Sequence, residues 1–218
     1  MGIPVDLQRF ANEIAQIESN SKTSGKVMLY GSSFFAKWFY DRSQAQLSAA
    51  SGGKLQVVNH GFGGATVDEL LYYYPRLVKP YDPAAIVIRS GYNDISRGLS
   101  PEQAMFLLKR LVGWIKADFP DAPILLMKIF DVKRGDDARF ATNQQFNALL
   151  EEYAKTLENA AILDINGFFY EKEADMGDRS KLRDVFVEDG LHLTDRAYEE
   201  MAPYFSSRVL ELLKTMAE

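Results

Sequence analysis

The stretch MLYGSSFFAKW, residues 28–38, begins as an apolar run, turns at a glycine, sets down two serines and continues into aromatics. An apolar run ending in Gly-Ser-Ser and passing into Phe34, Phe35, Trp38 and Phe39 reads as a strand handing over to a helix. The serines there have two readings. Serine is a favoured helix N-cap, where it satisfies an orphan backbone N–H. A serine on a tight turn above a sheet can also be an exposed nucleophile. Within this stretch both readings stand, and the rest of the chain decides between them.

Working outward, apolar runs and helical patterns alternate along the chain. The strand-like runs are KVMLYG (26–31), KLQVVNHG (54–61), AAIVIRSG (84–91), PILLMKIF (123–130) and AAILDI (160–165). Their centres are near-continuous apolar runs, as expected of strands covered on both faces. Helical spacing marks about 5–19, 34–49, 66–77, 101–118, 139–158 and 195–216. Strands alternating with helices predict right-handed crossovers and a mostly parallel sheet in a three-layer α/β/α fold. No repeat or low-complexity linker interrupts the 218 residues, so one domain over 1–218 is expected.

Composition narrows the function classes. A net charge of −5 argues against nucleic acid or an anionic membrane surface as partner. Without cysteine, disulfides, thiolate metal sites and cysteine nucleophiles are excluded. No segment approaches the length of a membrane span, and the charged start MGIPVDLQRF lacks a signal-peptide core, so a cytoplasmic protein is expected. Two histidines and scattered carboxylates show no ligand spacing, and neither metal nor cofactor is expected. The oligomeric state is not read from the sequence.

In such folds ligands bind beyond the carboxyl ends of the strands. Those ends carry Gly31-Ser32-Ser33, then NHGFGGAT (59–66), then Gly91-Tyr92-Asn93-Asp94, while EDGLHLTD (188–195) precedes the last helix. His192 follows Asp189 by three residues in a glycine-containing turn. A carboxylate so placed can fold back on one imidazole nitrogen, fix the tautomer and free the other nitrogen as a base. A serine needs such a base to become nucleophilic, and acyl transfer needs donors aimed at the developing oxyanion. Ser33, His192 and Asp189 could supply the first set. The Gly64 N–H and the Asn93 amide, at the second and third strand ends, could supply the second.

These blocks carry a family resemblance. GSS (31–33), NHGFGG (59–64), GYND (91–94) and DGLH (189–192) stand in the order of the four blocks of the SGNH hydrolases, or GDSL lipase/esterase family, which the chain resembles over essentially its whole length. The resemblance implies a flavodoxin-like five-stranded parallel sheet. It also implies Ser33 as nucleophile, with its N–H, the Gly64 N–H and the Asn93 amide as oxyanion hole, and an Asp189–His192 pair completing the triad. The first block departs from Gly-Asp-Ser-Leu: Ser32 replaces the aspartate, and it is expected to brace the turn with a hydroxyl.

His60, four residues before Gly64, has no acidic neighbour in sequence and is expected to bond locally or line the cleft. Asp94 is expected to fix its loop. Arg89, inside an apolar run, calls for a partner such as Asp94. Phe34, Phe62 and Tyr92 sit in the motif loops as substrate contacts. The expected activity is hydrolysis of a small-molecule carboxylic ester through an acyl-enzyme, with short acyl groups such as acetyl. The alternatives are a lysophospholipase or thioesterase on longer chains, or a flavodoxin-like binding module without chemistry. A dinucleotide reading of GFGGAT (61–66) fails, because Thr66 takes the third glycine position and the run follows the second strand.

Overall fold

The computed structural model describes residues 8–19 and 24–218. Its elements, in chain order, are α1 (Ala11–Ser19), β1 (Val27–Gly31), α2 (Ser33–Ala36), α3 (Tyr40–Ala50), β2 (Val57–Gly61) and α4 (Val67–Leu77). There follow β3 (Ala85–Arg89), α5 (Tyr92–Ser96), α6 (Pro101–Asp118), β4 (Ile124–Met127), α7 (Asp137–Ala154), β5 (Ala160–Leu163) and α8 (Asp195–Ala217). Every strand pair is parallel and the order is β2-β1-β3-β4-β5. Helices α3 and α8 pack on each other on one side of the sheet, and α4, α6 and α7 form a row on the other. β1, β3 and β4 are buried along their whole length, which explains their unbroken apolar runs.

The order reverses between β1 and β3, the switch point where an open α/β sheet leaves a crevice at its carboxyl edge. Register brings the strand ends level there: Gly31 lies opposite both Gly61 and Arg89. The blocks read from the sequence therefore meet at one edge.

Four helix boundaries differ from the sequence expectation, one of them being α7, which runs Asp137–Ala154 where about 139–158 is expected. The stretch 34–49 is two helices, because the chain turns at Phe39 with φ 46°. That turn leaves Phe39 exposed while Trp38 lies wholly inside, ringed by Phe34, Tyr198 and Phe205. Burying the indole outweighs the cost of a left-handed non-glycine residue, which is on the order of 1–2 kcal/mol. The block at 91–94, expected as loop, opens the short helix α5. The first helix starts at Ala11, and residues 5–7 of the expected span lie outside the described residues. Among the described residues no helix is long and apolar enough to cross a membrane.

Candidate active site

β1 delivers the chain to Ser32, the extended N-cap of α2, and Ser33 is the first helical residue. Four residues of helix cannot hold themselves in place, so the turn is clamped from outside. Asn59 Nδ2 donates to the Phe35 carbonyl at 2.8 Å, while its Oδ1 accepts from the Gly61 N–H at 3.0 Å. The Tyr198 hydroxyl donates to the Phe34 carbonyl at 2.8 Å. Glycine is required at Gly61, where a Cβ would stand 2.5 Å from that of Phe35 and 2.7 Å from the Ala36 nitrogen. The expectation that Ser32 braces this turn is corrected: its side chain makes no capping bond, and Asn59 and Tyr198 do the holding.

The loop before α8 is an Asx-type turn. Asp189 Oδ1 accepts the backbone N–H groups of Leu191 and His192, each at 2.9 Å, which leaves Oδ2 for the imidazole. His192 Nδ1–H donates to that oxygen at 2.5 Å. A carboxylate partner fixes this tautomer, so Nε2 carries a lone pair and accepts from Ser33 Oγ–H at 3.1 Å. Burial alone would raise the Asp189 carboxyl; the His192 and Leu191 N–H groups and the ring outweigh it and hold the pKa at about 2. The carboxylate is thus ionised throughout the neutral range and ready to stabilise an imidazolium.

The two remaining loops are locked to each other. Asn93 Nδ2 donates to the Ala65 carbonyl at 2.8 Å, next to Gly64, and keeps a second amide hydrogen. The Val67 N–H donates to Asp94 Oδ1 at 2.9 Å, and the Thr66 N–H to Glu69 Oε2 at 2.9 Å. Glu69 Oε1 in turn accepts from Arg9 Nη1 at 2.9 Å, and Arg9 Nη2 donates to the Gly64 carbonyl at 3.2 Å. α1 adds Glu13, whose Oε1 accepts the Gly63 N–H at 3.1 Å. Neither the Ser33 nor the Gly64 N–H is hydrogen-bonded to another described residue. This bracing by Arg9 and Glu13 carries no sequence signal, because it spans fifty residues or more and depends on where α1 packs.

Asp94 is fully buried, and burial, opposed by the Val67 N–H, raises its pKa to about 6. It fixes the loop as expected but does not partner Arg89: no carboxylate of a described residue lies within 4.0 Å of that guanidinium. His60 is no rival base. Its ring is buried in β2, Nδ1–H donates to the Leu77 carbonyl at 2.6 Å, and it stacks edge-on against Tyr81.

A cavity of about 10 Å³, near the threshold for a single water, opens at Ser33, Asn93 and His192. Phe34 and Tyr92 line it. Phe62 does not, and its assignment is corrected: the ring is 0% exposed, edge-on to Phe10 and Tyr73 under α1. Its large apolar ring is taken by the core. Arg89, Phe130, Tyr198, Leu191 and Leu193 also line the cavity, brought there by packing between separate elements that no local motif signals.

Residues 29–200 match the model of the GDSL-like Lipase/Acylhydrolase family. The chain is similar to the Escherichia coli (strain K12) protein "Thioesterase 1/protease 1/lysophospholipase L1", 30% identical over 105 residues. That match covers 48% of this chain and 48% of the relative, so it spans about half the length of the curated relatives. Among solved structures, a GDSL-like lipase from Bacteroides thetaiotaomicron superposes with a TM-score of 0.66 at 19% identity, covering 95% of this chain and 97% of that one. A variant of an acetyl-xylooligosaccharide esterase from Geobacillus Stearmophilus gives 0.66 at 19% identity, over 86% and 95%.

Proposed function

The chain belongs to the GDSL-like lipase/acylhydrolase family, and from that premise we propose that it is a serine esterase acting on small carboxylic esters with short acyl groups. The observation that carries the reading is the continuous relay from Asp189 through His192 to Ser33, with bonds of 2.5 and 3.1 Å. In this scheme Ser33 Oγ attacks the ester carbonyl as His192 Nε2 takes its proton. The carbonyl oxygen becomes an oxyanion, received by the Ser33 and Gly64 N–H groups and the free Asn93 amide hydrogen. His192 then returns the proton to the departing alcohol, leaving an acyl-enzyme. Water, deprotonated by His192, releases the acid and restores Ser33.

The cavity beside Ser33 is walled by Phe34, Tyr92 and Phe130, and these rings favour short acyl groups over long ones. The similarity to the Escherichia coli thioesterase/lysophospholipase favours the second reading, a thioesterase or lysophospholipase working on longer chains. Two measurements test the reading. A fluorophosphonate should label the wild type at Ser33 and leave Ser33→Ala unlabelled. A series of p-nitrophenyl esters from acetyl to palmitoyl should peak at or below butyryl; a peak at decanoyl or beyond gives the second reading, and labelling of Ser33→Ala overturns the nucleophile.

A further inference from the structure

Arg89 is the last residue of β3, and only 3% of it is exposed. Its guanidinium lies 4.5 Å from the centre of the Phe130 ring and 5.2 Å from that of Phe34. Its Nε is buried without a hydrogen-bond partner, and no described residue accepts from any of its nitrogens. Burial draws its pKa down only to about 10, so the group is a cation at neutral pH. Yet it lines the same cavity as Ser33, Asn93 and His192.

A buried charge without a counter-ion is among the most expensive features a fold can carry. Two aromatic faces recover part of that cost, since the ring quadrupole attracts a desolvated cation. They leave the guanidinium's donors unused, and hydrolysis as proposed above assigns every step to other groups. A planar fork of donors on a residue that lines the cavity beside Ser33, walled by apolar rings, is complementary to a carboxylate.

We propose that Arg89 is a specificity-determining residue that receives a carboxylate carried by the substrate, so that the preferred esters are anionic within a few atoms of the scissile carbonyl. The inference rests on the esterase reading. The aromatic walls exclude water from the pair, and exclusion strengthens an ion pair whose members must both be desolvated. The anion can belong to the acyl part or to the leaving alcohol.

Two matched pairs of esters test this on the purified full chain. Mono-4-nitrophenyl succinate against its neutral succinamate analogue places the charge on the acyl side. 4-Acetoxybenzoate against 4-acetoxybenzamide places it on the leaving side. In the wild type, kcat/KM should favour the anionic member at least about tenfold in one pair, and that pair identifies the side. Arg89→Gln should bring the ratio to one or below, and Arg89→Lys should keep part of it; because each ratio is taken within one enzyme, a general loss of activity cancels. Should the variants fail to fold, free succinate must inhibit wild-type hydrolysis of the neutral ester more strongly than succinamide does. Ratios near one in both wild-type pairs, a ratio unchanged in Arg89→Gln, or equal inhibition by succinate and succinamide overturns the proposal. If the wild type still hydrolyses neutral esters and takes up the fluorophosphonate, only the role of Arg89 falls; if it does neither, the esterase reading falls with it.

Discussion

The two histidines, His60 and His192, show what makes an imidazole a base. His60 sits inside the sheet with one nitrogen tied to the Leu77 carbonyl and the other facing no partner. Its pKa falls to about 4 because burial penalises the cation, with the Leu77 bond only partly opposing it. His192 sits on a loop, holds a carboxylate at one nitrogen and meets a hydroxyl at the other. Both rings have one fixed nitrogen. The difference is the partner: a carbonyl orients a ring, whereas a carboxylate orients it and can also stabilise a positive charge on it.

The comparison can be broken most decisively by exchanging the roles in a rate assay. His192→Ala should lower kcat for p-nitrophenyl acetate by ~10³-fold or more, whereas His60→Gln, at a ring tied to the Leu77 carbonyl, should keep kcat within a few-fold. A large loss from His60→Gln with the fold intact would reverse the assignment. Asn93→Ala should come next, lowering kcat on the order of 10²-fold as one oxyanion donor is removed. A change confined to KM would place that amide in ground-state binding instead.

The smallest effect sharpens the comparison through stability. His60, held near 4 against an ordinary 6.5, binds a proton in the unfolded chain that the folded protein refuses between those values. Its contribution therefore rises with pH across that window. Asp94 runs the other way: raised to about 6 from 3.8, it holds a proton in the folded protein that the unfolded chain releases, so its contribution falls as pH rises from 3.8 to 6. The two nearly cancel. Urea unfolding at pH 4, 5, 6 and 7 should show His60→Gln tilting the curve downward with rising pH by about 3 kcal/mol relative to wild type, at about 1.4 kcal/mol per pKa unit. Asp94→Asn should tilt it upward by a similar amount. Parallel curves for all three proteins would mean that neither group titrates in this window.

Much of the site was legible because its parts are local. Asp189 and His192 are three residues apart in one turn, and the same turn supplies the N–H groups that hold the carboxylate. The end of β1 likewise announces Ser33, since an apolar run stopping at a glycine and two serines marks where a buried strand reaches the sheet edge. Less legible were the features whose outcome depends on distant packing. Phe62 and Tyr92 both occupy motif loops, yet one ring is taken into the cluster under α1 and the other reaches the cavity. Ser32 stands where a brace was expected, but Tyr198, from the last helix, holds the turn.

The sequence by itself determined the order of strands and helices, the parallel sheet and the residues presented at its carboxyl edge, because periodicity and turn chemistry act over a few residues. Tertiary structure alone decided that the nearby Asp94 bonds the Val67 N–H instead of pairing with Arg89. It also decided that two phenylalanine rings from different strand ends enclose that guanidinium beside Ser33. A charge finds its partner, or goes without one, through the three-dimensional arrangement of everything around it, and that arrangement has no period along the chain. So MLYGSSFFAKW announces where a nucleophile can stand, while the cavity its Phe34 helps to wall owes its charge to Arg89 on the neighbouring strand.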